Sequence, residues 1–489
     1  MPKRSERTGA PASLRAPLAA LLGTLLAGGC ANFDGLKPKA ARTDAAALAA
    51  SRSLAGARLA PADWPSAAWW QRFGDAQLDA LIAEALAGNP GMGGARARID
   101  RALALAAGAG AALAPQASAG ADLTRQHYSA NGIYPRPLAD SWHTQTQLAA
   151  SIGYEFDLWG RNRAAYDAAL GQVRAAEVDA FAARLLLASG VARAYAQLAR
   201  SFEQLDLALA TLTLRQAVFA LVGERVAAGL DSQVELKQAE GSIPAARLRI
   251  AQLEEEIALG RNLLAALAGQ GPDRGLAIAR PRLQSKAPAL PSALPSDLIG
   301  RRPDVVAQRW RVEAARRDID AAKAQFYPSI NLNALIGVQS IAFSRLLTRG
   351  SEIPTFGPAL RLPLFDGGRL RGNLAAKDAD YDLALEQYNL TLVEALREVV
   401  DQLSSLRSVE TQRVHLDGAL LTAEEAYQLA LERYRGGVGS YLQVLAAEAP
   451  LLEQKSLQAN LRARALELSI NLMRALGGGF EDTSTAGAS

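Results

Sequence analysis

The stretch PLFDGGRLRG, residues 363–372, repeats a junction that the chain has already made once. The earlier copy is YEFDLWGRNRAA, residues 154–165, and in both places an apolar run leads through Phe-Asp and Gly-Arg into a long Ala- and Leu-rich segment. Three further blocks recur in the same order, among them ERVAAGLDSQVELKQAE and ERYRGGVGSYLQVLAAE, in which Glu224 and Glu432 stand 208 residues apart. These matches predict an internal duplication, one structural unit written twice.

The composition provides enough hydrophobic residues for a large buried surface, and the charge argues against a nucleic-acid partner. The 489 residues are 49% hydrophobic and 21% charged, and the length suggests two or three domains. The formal net charge is +4, but residues 1–29 contribute +3 of it. Because the remainder is nearly neutral, no nucleic-acid partner is expected.

The first 29 residues have the form of a secretory signal peptide. Basic residues precede the apolar core APLAALLGTLLA, which is followed by Gly28 and Gly29. A membrane-spanning helix needs about 20 apolar residues, more than this core supplies. Cys30, the only cysteine, comes next, so a disulfide framework and a CxxC site are excluded. The placement resembles a lipoprotein lipobox, with Ala27 where Leu is usual, and predicts a covalent lipid on Cys30; a free thiol is the alternative.

Each half of the duplication predicts the same series of elements: a helix, two strands, a very long helix, a glycine turn and a return helix. Between the halves lies a Pro-rich segment without clean periodicity. The predicted boundaries are as follows: N-terminal extension 30–74; repeat 1, 75–270, with a helix from Pro90 to about Leu113, strands 116–126 and 144–157, and helices 160–228 and 232–267; Pro-rich segment 271–294; repeat 2, 295–479, with a helix from Pro303 to about Phe326, strands 328–338 and 356–365, and helices 368–436 and 440–476; and a tail, 480–489.

The long helices carry apolar residues at steps of three and four, the spacing that coiled-coil packing requires. At 1.5 Å per residue each long helix would reach about 100 Å. The pattern therefore predicts long helical hairpins in place of a compact soluble domain. The positions concerned are Phe181, Leu185, Ala188, Ala192, Tyr195, Ala199 and Phe202 in repeat 1, and Tyr381, Leu385, Tyr388, Leu392, Ala395, Val399, Leu403 and Leu406 in repeat 2.

The four strand segments alternate apolar and polar residues. In SINLNALIGV, for example, Ile330, Leu332 and Ile336 alternate with Asn331 and Asn333. Each segment has about the ten-residue length at which a tilted strand crosses a bilayer. Four strands cannot close a barrel, and membranes do not tolerate open sheet edges, so several chains would have to contribute. The alternative is a pair of amphipathic hairpins covering a soluble core.

The duplication, the block RRPDVVAQRWRVEAARRDIDAAKAQFYPSI (301–330), FDGGRLRG and the leader together resemble the TolC-like outer-membrane factors, specifically their lipoprotein branch. The resemblance implies a mainly α protein with a membrane β-barrel: a homotrimer with four strands per chain in a twelve-stranded barrel, continued by coiled-coil helices as a periplasmic α-barrel. It also implies a lipid-anchored outer-membrane location, a periplasmic adaptor protein and an inner-membrane RND-type transporter. The implied function is passive export of drugs, metals or other small toxic compounds.

Catalytic chemistry is not indicated. The three histidines, His127, His143 and His415, match no metal-binding spacing, and no nucleophile or phosphate-binding motif is present. We therefore expect no enzyme activity, no metal and no cofactor other than the covalent lipid. Two alternatives to efflux remain: a channel for type I protein secretion, and a periplasmic coiled-coil lipoprotein without a pore.

The resemblance also assigns roles to the two glycine turns, which it places at the periplasmic tips. The helix starts that follow the turns would form the periplasmic aperture, where family members often carry Asp at the positions of Gln443 and Ala446. A structural role fits the same residues, because the glycines match helix C-terminal positions and Ser-x-x-Glu/Gln matches a capping box. The implied adaptor contacts are Gly229, Leu230, Gly436, Gly437 and Val438; the implied aperture residues are Ser232, Glu235, Leu442, Gln443 and Ala446.

Overall fold

The computed structural model describes residues 33–44, 47–49, 51–54, 64–284 and 300–482, so the signal peptide and Cys30 lie outside the described residues. The chain divides into two compact units. The sheet unit comprises residues up to 41, 100–175 and 309–387, and the helical unit comprises 42–99, 176–308 and residues from 388 onward.

The duplication is visible in the lengths of the elements. Corresponding helices of the two halves match in length: 22 residues for α2 and α5, 67 for α3 and α6, and 35 for α4 and α7. The helices are α1 Ala76–Gly88, α2 Pro90–Ala111, α3 Arg161–Ala227, α4 Gln233–Leu267, α5 Pro303–Ala324, α6 Arg369–Arg435 and α7 Tyr441–Ala475; the strands are β1 Gln116–Tyr128, β2 Ser141–Phe156, β3 Ser329–Ser340 and β4 Thr355–Arg361. Short helical turns occupy Ser51–Leu54, Trp69–Phe73, Asp273–Leu276 and Phe343–Arg345.

The four strands form one antiparallel sheet in the order β1-β2-β3-β4. Its register pairs apolar residues with apolar residues across every strand, as where Leu148 stands between Ala121 and Val338. Because paired residues share a face, one face of the sheet is apolar over most of its length. This face comprises Ala117, Ala119, Ala121 and Leu123 of β1, Leu148, Ala150, Ile152, Tyr154 and Phe156 of β2, Ile330, Leu332, Ala334, Ile336 and Val338 of β3, and Phe356, Pro358 and Leu360 of β4.

Strand β4 is shorter than the sequence pattern predicts, since it ends at Arg361 and not at residue 365. Pro363 has no N–H to donate to a ladder, which explains why pairing does not continue through this segment. Beyond the strand, Leu364 is 77% exposed and Phe365 is 94% exposed. Strands β1 and β2, in contrast, extend further than predicted toward their connecting loop, to Tyr128 and from Ser141.

The repeated Phe-Asp and Gly-Arg junction is a strand-to-helix cap. The Asp157 carboxylate accepts hydrogen bonds from the backbone N–H groups of Asn162 and Arg163 at 3.0 and 2.8 Å, at the start of α3. In the second half, Asp366 accepts from the N–H groups of Gly368 and Leu370 at 3.0 and 2.8 Å. Each aspartate therefore satisfies free N–H groups where a strand gives way to a long helix.

The helical unit has its core around helix α1, which the sequence reasoning did not predict. Asp75 caps this helix, accepting from the Gln77 N–H at 3.0 Å and from the Tyr195 hydroxyl at 2.9 Å. Burial raises the pKa of Tyr195, so the hydroxyl remains a donor. The apolar core packed here includes Trp69, Phe73, Leu78, Leu81, Ile82, Ala192, Tyr195, Leu264, Ile470 and Leu472.

The heptad positions of the long helices are largely buried. Tyr195 is 0% exposed and Tyr388 is 1% exposed, although Phe181 at the end of one series is 52% exposed. Helix α3 also has the length and apolar composition of a membrane-crossing helix, a test that core helices of soluble proteins pass as well. Its spacing of buried residues is that of helix–helix packing.

Candidate aperture at the two helix turns

Two turns with the same backbone geometry connect α3 to α4 and α6 to α7. Gly229 and Gly437 have φ angles of 73° and 75°, in the left-handed region that favours glycine. In the first turn the N–H of Leu230 donates to the Arg225 carbonyl at 2.9 Å, and in the second the N–H of Val438 donates to the Arg433 carbonyl at 3.0 Å. Both helices therefore end in the Schellman arrangement that sequence spacing indicated.

Both return helices begin with a capping box. The Ser232 hydroxyl accepts from the N–H of Val234 at 3.1 Å, while Glu235 accepts from the Ser232 N–H at 2.9 Å. Ser440 and Gln443 make the same reciprocal pair at 3.3 and 3.4 Å. The hydrogen bond from the Ser232 side chain is the main reason that the pKa of Glu235 lies below its usual range, so this carboxylate is charged at neutral pH.

Three of the five residues predicted to form the aperture, Leu442, Gln443 and Ala446, lie on one face of the first turns of α7, and the other two, Ser232 and Glu235, lie at the start of α4. Leu442 is 69% exposed, and Gln443 and Ala446 are exposed as well. Tyr441 and Val444 point to the opposite side and are buried. The structure thus separates an exposed face from a packed face within these few residues.

The residues predicted to contact an adaptor are also exposed. Leu230 is 64% exposed and Val438 is 71% exposed, and the glycines Gly229, Gly436 and Gly437 lie at the surface beside them. Exposed apolar side chains on both turns give this end of the helical unit an apolar surface.

A buried charged network joins the two turns, and sequence reasoning missed it. The Arg225 guanidinium donates through Nε to Asp231 Oδ2 at 2.9 Å and through Nη1 to the Tyr434 carbonyl at 2.8 Å. The Tyr434 hydroxyl also donates to Asp231 Oδ2. We call Arg225, Asp231 and Tyr434 the turn network.

Because the turn network is buried, removing one of its side chains would leave a buried charge or polar group unpaired. The side chains of Arg225 and Asp231 are only 10% and 11% exposed. Burial alone raises the pKa of the Asp231 carboxyl, but the hydrogen bonds from Arg225 and Tyr434 outweigh it and hold that pKa below its usual range. Burial, followed by the hydrogen bond to Asp231, raises the pKa of Tyr434.

Two members of the turn network differ between the two repeats. At the 208-residue offset Tyr434 corresponds to Val226, and Asp231 corresponds to Gly439. Other positions of the turns differ as well, such as Ala227 and Arg435 or Gln233 and Tyr441, so a comparison of the repeats alone does not single out the network.

Tyr434 of the turn network also belongs to a cluster of buried apolar residues. Tyr434 packs in it with Val222, Leu431 and Val444. Nearby, Arg215 pairs with the buried Glu448 at 3.0 Å. Burial raises the pKa of Tyr427 to about 12, and its hydroxyl is buried without a hydrogen-bond partner.

The histidines show no metal-binding arrangement. His127 Nε2 lies 3.7 Å from Asp140 Oδ1, and His143 Nε2 lies 2.8 Å from the Ser141 hydroxyl. Within the described ranges, no three His, Cys, Asp or Glu side chains are grouped closely enough to hold a metal ion.

Comparison with known proteins finds matches along most of the chain. The family model described as outer membrane efflux protein matches residues 81–270 and 294–478. Fusaric acid resistance protein FusA of Burkholderia cepacia is 45% identical over 368 residues, 74% of this chain and 69% of FusA. Multidrug resistance outer membrane protein MdtP of Escherichia coli K12 is 34% identical over 432 residues, 86% of this chain and 88% of MdtP.

Among solved structures, the outer membrane protein VceC of Vibrio cholerae is similar with a TM-score of 0.80 and 39% identity. The similarity covers 86% of this chain and 100% of that one.

Proposed function

Because the chain belongs to the outer membrane efflux protein family, we propose that it is the outer-membrane exit channel of a tripartite efflux system. The family, the helical fold with an antiparallel sheet and the outer-membrane location were all predicted from the sequence and are confirmed. Membership in a family of channel proteins also confirms the expectation that the chain is not an enzyme.

The observation that carries the proposal is the four-stranded sheet with one apolar face. Strands β1 and β4 stand at its two edges, and neither has a second partner strand within the described chain. In lipid every backbone N–H and C=O must be paired, so these edges need strands from other copies. Three copies would supply the twelve-stranded barrel that the family resemblance implies, with Leu332 and Ile336 among the lipid-facing residues.

The covalent lipid on Cys30 is part of the proposal, and the described chain begins at Phe33, against the sheet unit. Phe33 packs edge-on against Phe326 with ring centroids 5.6 Å apart, and the Arg371 guanidinium donates to the Asp34 carbonyl at 3.1 Å. These contacts lie beside the start of β3 and the start of α6.

The turns supply the proposed contact with a periplasmic adaptor. Leu230 and Val438 offer apolar side chains on short glycine-containing turns, which suits a partner with a matching apolar groove. An RND-type transporter in the inner membrane would supply the energy for export. The names of FusA and MdtP favour small toxic organic compounds as the cargo.

We place the closed aperture at Leu442, Gln443 and Ala446, with Ser232 and Glu235 on the neighbouring helix start. In a ring of three chains, Leu442 would form an apolar constriction and Glu235 a negative ring that favours cations. The turn network would hold the two turns of each chain together in this closed state.

Reconstitution tests the proposal directly. The purified full-length protein should contain three chains by native mass spectrometry in mild detergent and should conduct ions in planar bilayers. A folded monomer with intact helicity that passes no current would support the reading as a periplasmic coiled coil without a pore.

A further inference from the structure

A groove lies on the apolar face of the sheet, at the end away from the helices. The loop that follows β3, residues 341–354, folds over this face and buries Leu346, which is 4% exposed. Between loop and strands remains a groove of about 360 Å³, lined by Ala121, Asp122, Leu123, Thr146 and Leu148 from the strands and by Phe343, Leu346 and Leu347 from the loop. Asp122 pairs with Gln147, so it belongs to the opposite face of the sheet from Ala121 and Leu123.

The rim of the groove is strongly apolar and exposed. Leu123 is 68% exposed, Phe343 is 74% exposed and Leu347 is 83% exposed. All three border the same opening, so they form one patch that an apolar partner would cover. The patch continues the face of the sheet that includes Leu148 and Val338, the face we assign to lipid.

Thr146 places a buried hydroxyl group in the wall of the groove. This residue is 6% exposed, and its hydroxyl is buried without a hydrogen-bond partner. A buried hydroxyl without a partner costs free energy that an oxygen of a bound molecule would recover. The ester or hydroxyl oxygen near the head of a lipid acyl chain has the required chemistry.

A cation stands next to the groove on the same face. Arg125 follows Leu123 by two residues, so both project from one side of β1. Its guanidinium lies 5.7 Å from the ring centroid of Trp142, which is itself 61% exposed. Among the ion pairs of the described residues none involves Arg125, so its charge is available to an anion. Tryptophan and arginine at the end of an apolar strand face are typical of the level of lipid headgroups.

We propose that this groove binds one acyl chain of an anionic lipid of the outer leaflet, with the phosphate of that lipid on Arg125 and the head of the acyl chain beside Thr146. A second copy of this protein would pair with the edges of the sheet, β1 and β4, and not with its face. The groove opens on the face, where a membrane protein meets lipid.

Native mass spectrometry of the full-length protein, titrated with phosphatidylglycerol, lipid A or phosphatidylcholine, tests the site. The wild-type protein should retain the two anionic lipids more strongly than phosphatidylcholine. Arg125→Gln should lower their retention about fivefold, the effect of one cation near a charged headgroup. Arg361→Gln, at the opposite end of the sheet and on its polar face, is the matched control and should change nothing.

A groove-filling variant tests the acyl chain separately. Ala121→Phe should reduce retention of every lipid, whereas Ala359→Phe, which pairs with Asn331 on the polar face of the sheet, should not. Equal retention by wild type, Arg125→Gln and Ala121→Phe would overturn the proposal, and loss in Arg125→Gln alone would reduce the site to a headgroup contact. Conductance of the same preparations reports the channel independently, so failure of the lipid site and failure of the proposed function are distinguishable.

Discussion

The two helix turns share a backbone but differ in their side chains. Gly229 and Gly437 adopt the same left-handed conformation, and Ser232 and Ser440 cap the following helices in the same way. The duplicated sequence thus produced the same turn twice, because both motifs are set by residues within a few positions of one another.

The difference lies in the residues that face the other turn. The first turn supplies Arg225 and Asp231, and the second supplies Tyr434, where the first repeat has Val226. The equivalent of Asp231 is Gly439, so the second turn could not make the network on its own. The comparison teaches that the two repeats share the backbone of the turn, while residues that differ between them, Asp231 and Tyr434, bind the two turns to each other.

Removing the central cation should have the largest effect. Arg225→Ala would leave the Asp231 carboxylate buried without its ion-pair partner, which should destabilise the turns by about 3–5 kcal/mol. Hydrogen exchange of the amides in both turns would measure this as faster local opening. Arg433→Ala, the equivalent and exposed position of the other repeat, is the control and should leave exchange nearly unchanged.

Acid should weaken the same network. Because the pKa of Asp231 is held below its usual range, its stabilisation is complete above about pH 4 and is lost as pH falls through the lowered value. Amide exchange in the turns should therefore accelerate in acid, after correction for the intrinsic rate. Asp231→Asn should remove the larger part of this transition and Glu235→Gln only a smaller part, because the pKa of the exposed Glu235 is lowered as well. An unchanged transition in Asp231→Asn would assign the effect to another group.

Loss of one hydrogen bond should have a smaller effect. Tyr434→Phe removes the donor to Asp231 but leaves the Arg225 pair, so we expect a cost of about 1.5–3 kcal/mol, typical of a hydrogen bond to a charged group. Tyr427→Phe is a matched control, because the Tyr427 hydroxyl is buried without a partner and its removal should be neutral or stabilising. Equal exchange in the two variants would mean that the Tyr434 hydroxyl contributes nothing.

Replacing the left-handed glycine of a turn should cost a similar or smaller free energy than losing the Tyr434 hydrogen bond. Gly437→Ala forces a side chain into the left-handed region and should cost about 1–2 kcal/mol. The adjacent Gly436 does not have a positive φ, so Gly436→Ala should be tolerated. If both substitutions were equally tolerated, the glycine requirement at position 437 would be refuted.

The exposed side chains should affect transport and leave stability almost unchanged. Leu442→Ala should raise single-channel conductance more than Glu235→Gln, because the apolar side chain narrows the proposed aperture. Glu235→Gln should mainly reduce cation selectivity. A large rise in conductance with Glu235→Gln, and none with Leu442→Ala, would reverse these roles.

Local features were predictable from the sequence, and contacts between distant segments were not. The turn glycines and the caps at Ser232 and Ser440 follow from short motifs. The link between Asp231 and Tyr434 crosses 203 residues and depends on how the helices pack. No local pattern contains that information.

Two errors in the predicted elements have local causes that a closer reading could have found. Helix α1 was missed, yet Asp75 is a capping residue and Leu78, Leu81 and Ile82 follow at helical spacing. The alternation of apolar and polar residues predicts a strand up to residue 365, but β4 ends at Arg361. Pro363 has no N–H group to donate to the hydrogen bonds between strands. The predicted roles of Cys30, of the adaptor contacts and of the aperture residues remain predictions.

Single-channel recording of the wild-type protein beside the double variant Arg225→Gln, Asp231→Asn is the most direct test of a channel closed by its turns. The double variant removes the buried ion pair without leaving a lone charge behind. We expect the wild type to insert with a small conductance and the variant to conduct several-fold more, with three chains in both. Equal conductance in the two proteins would contradict a channel held closed by Arg225, Asp231 and Tyr434, and no current from either protein would contradict a channel altogether.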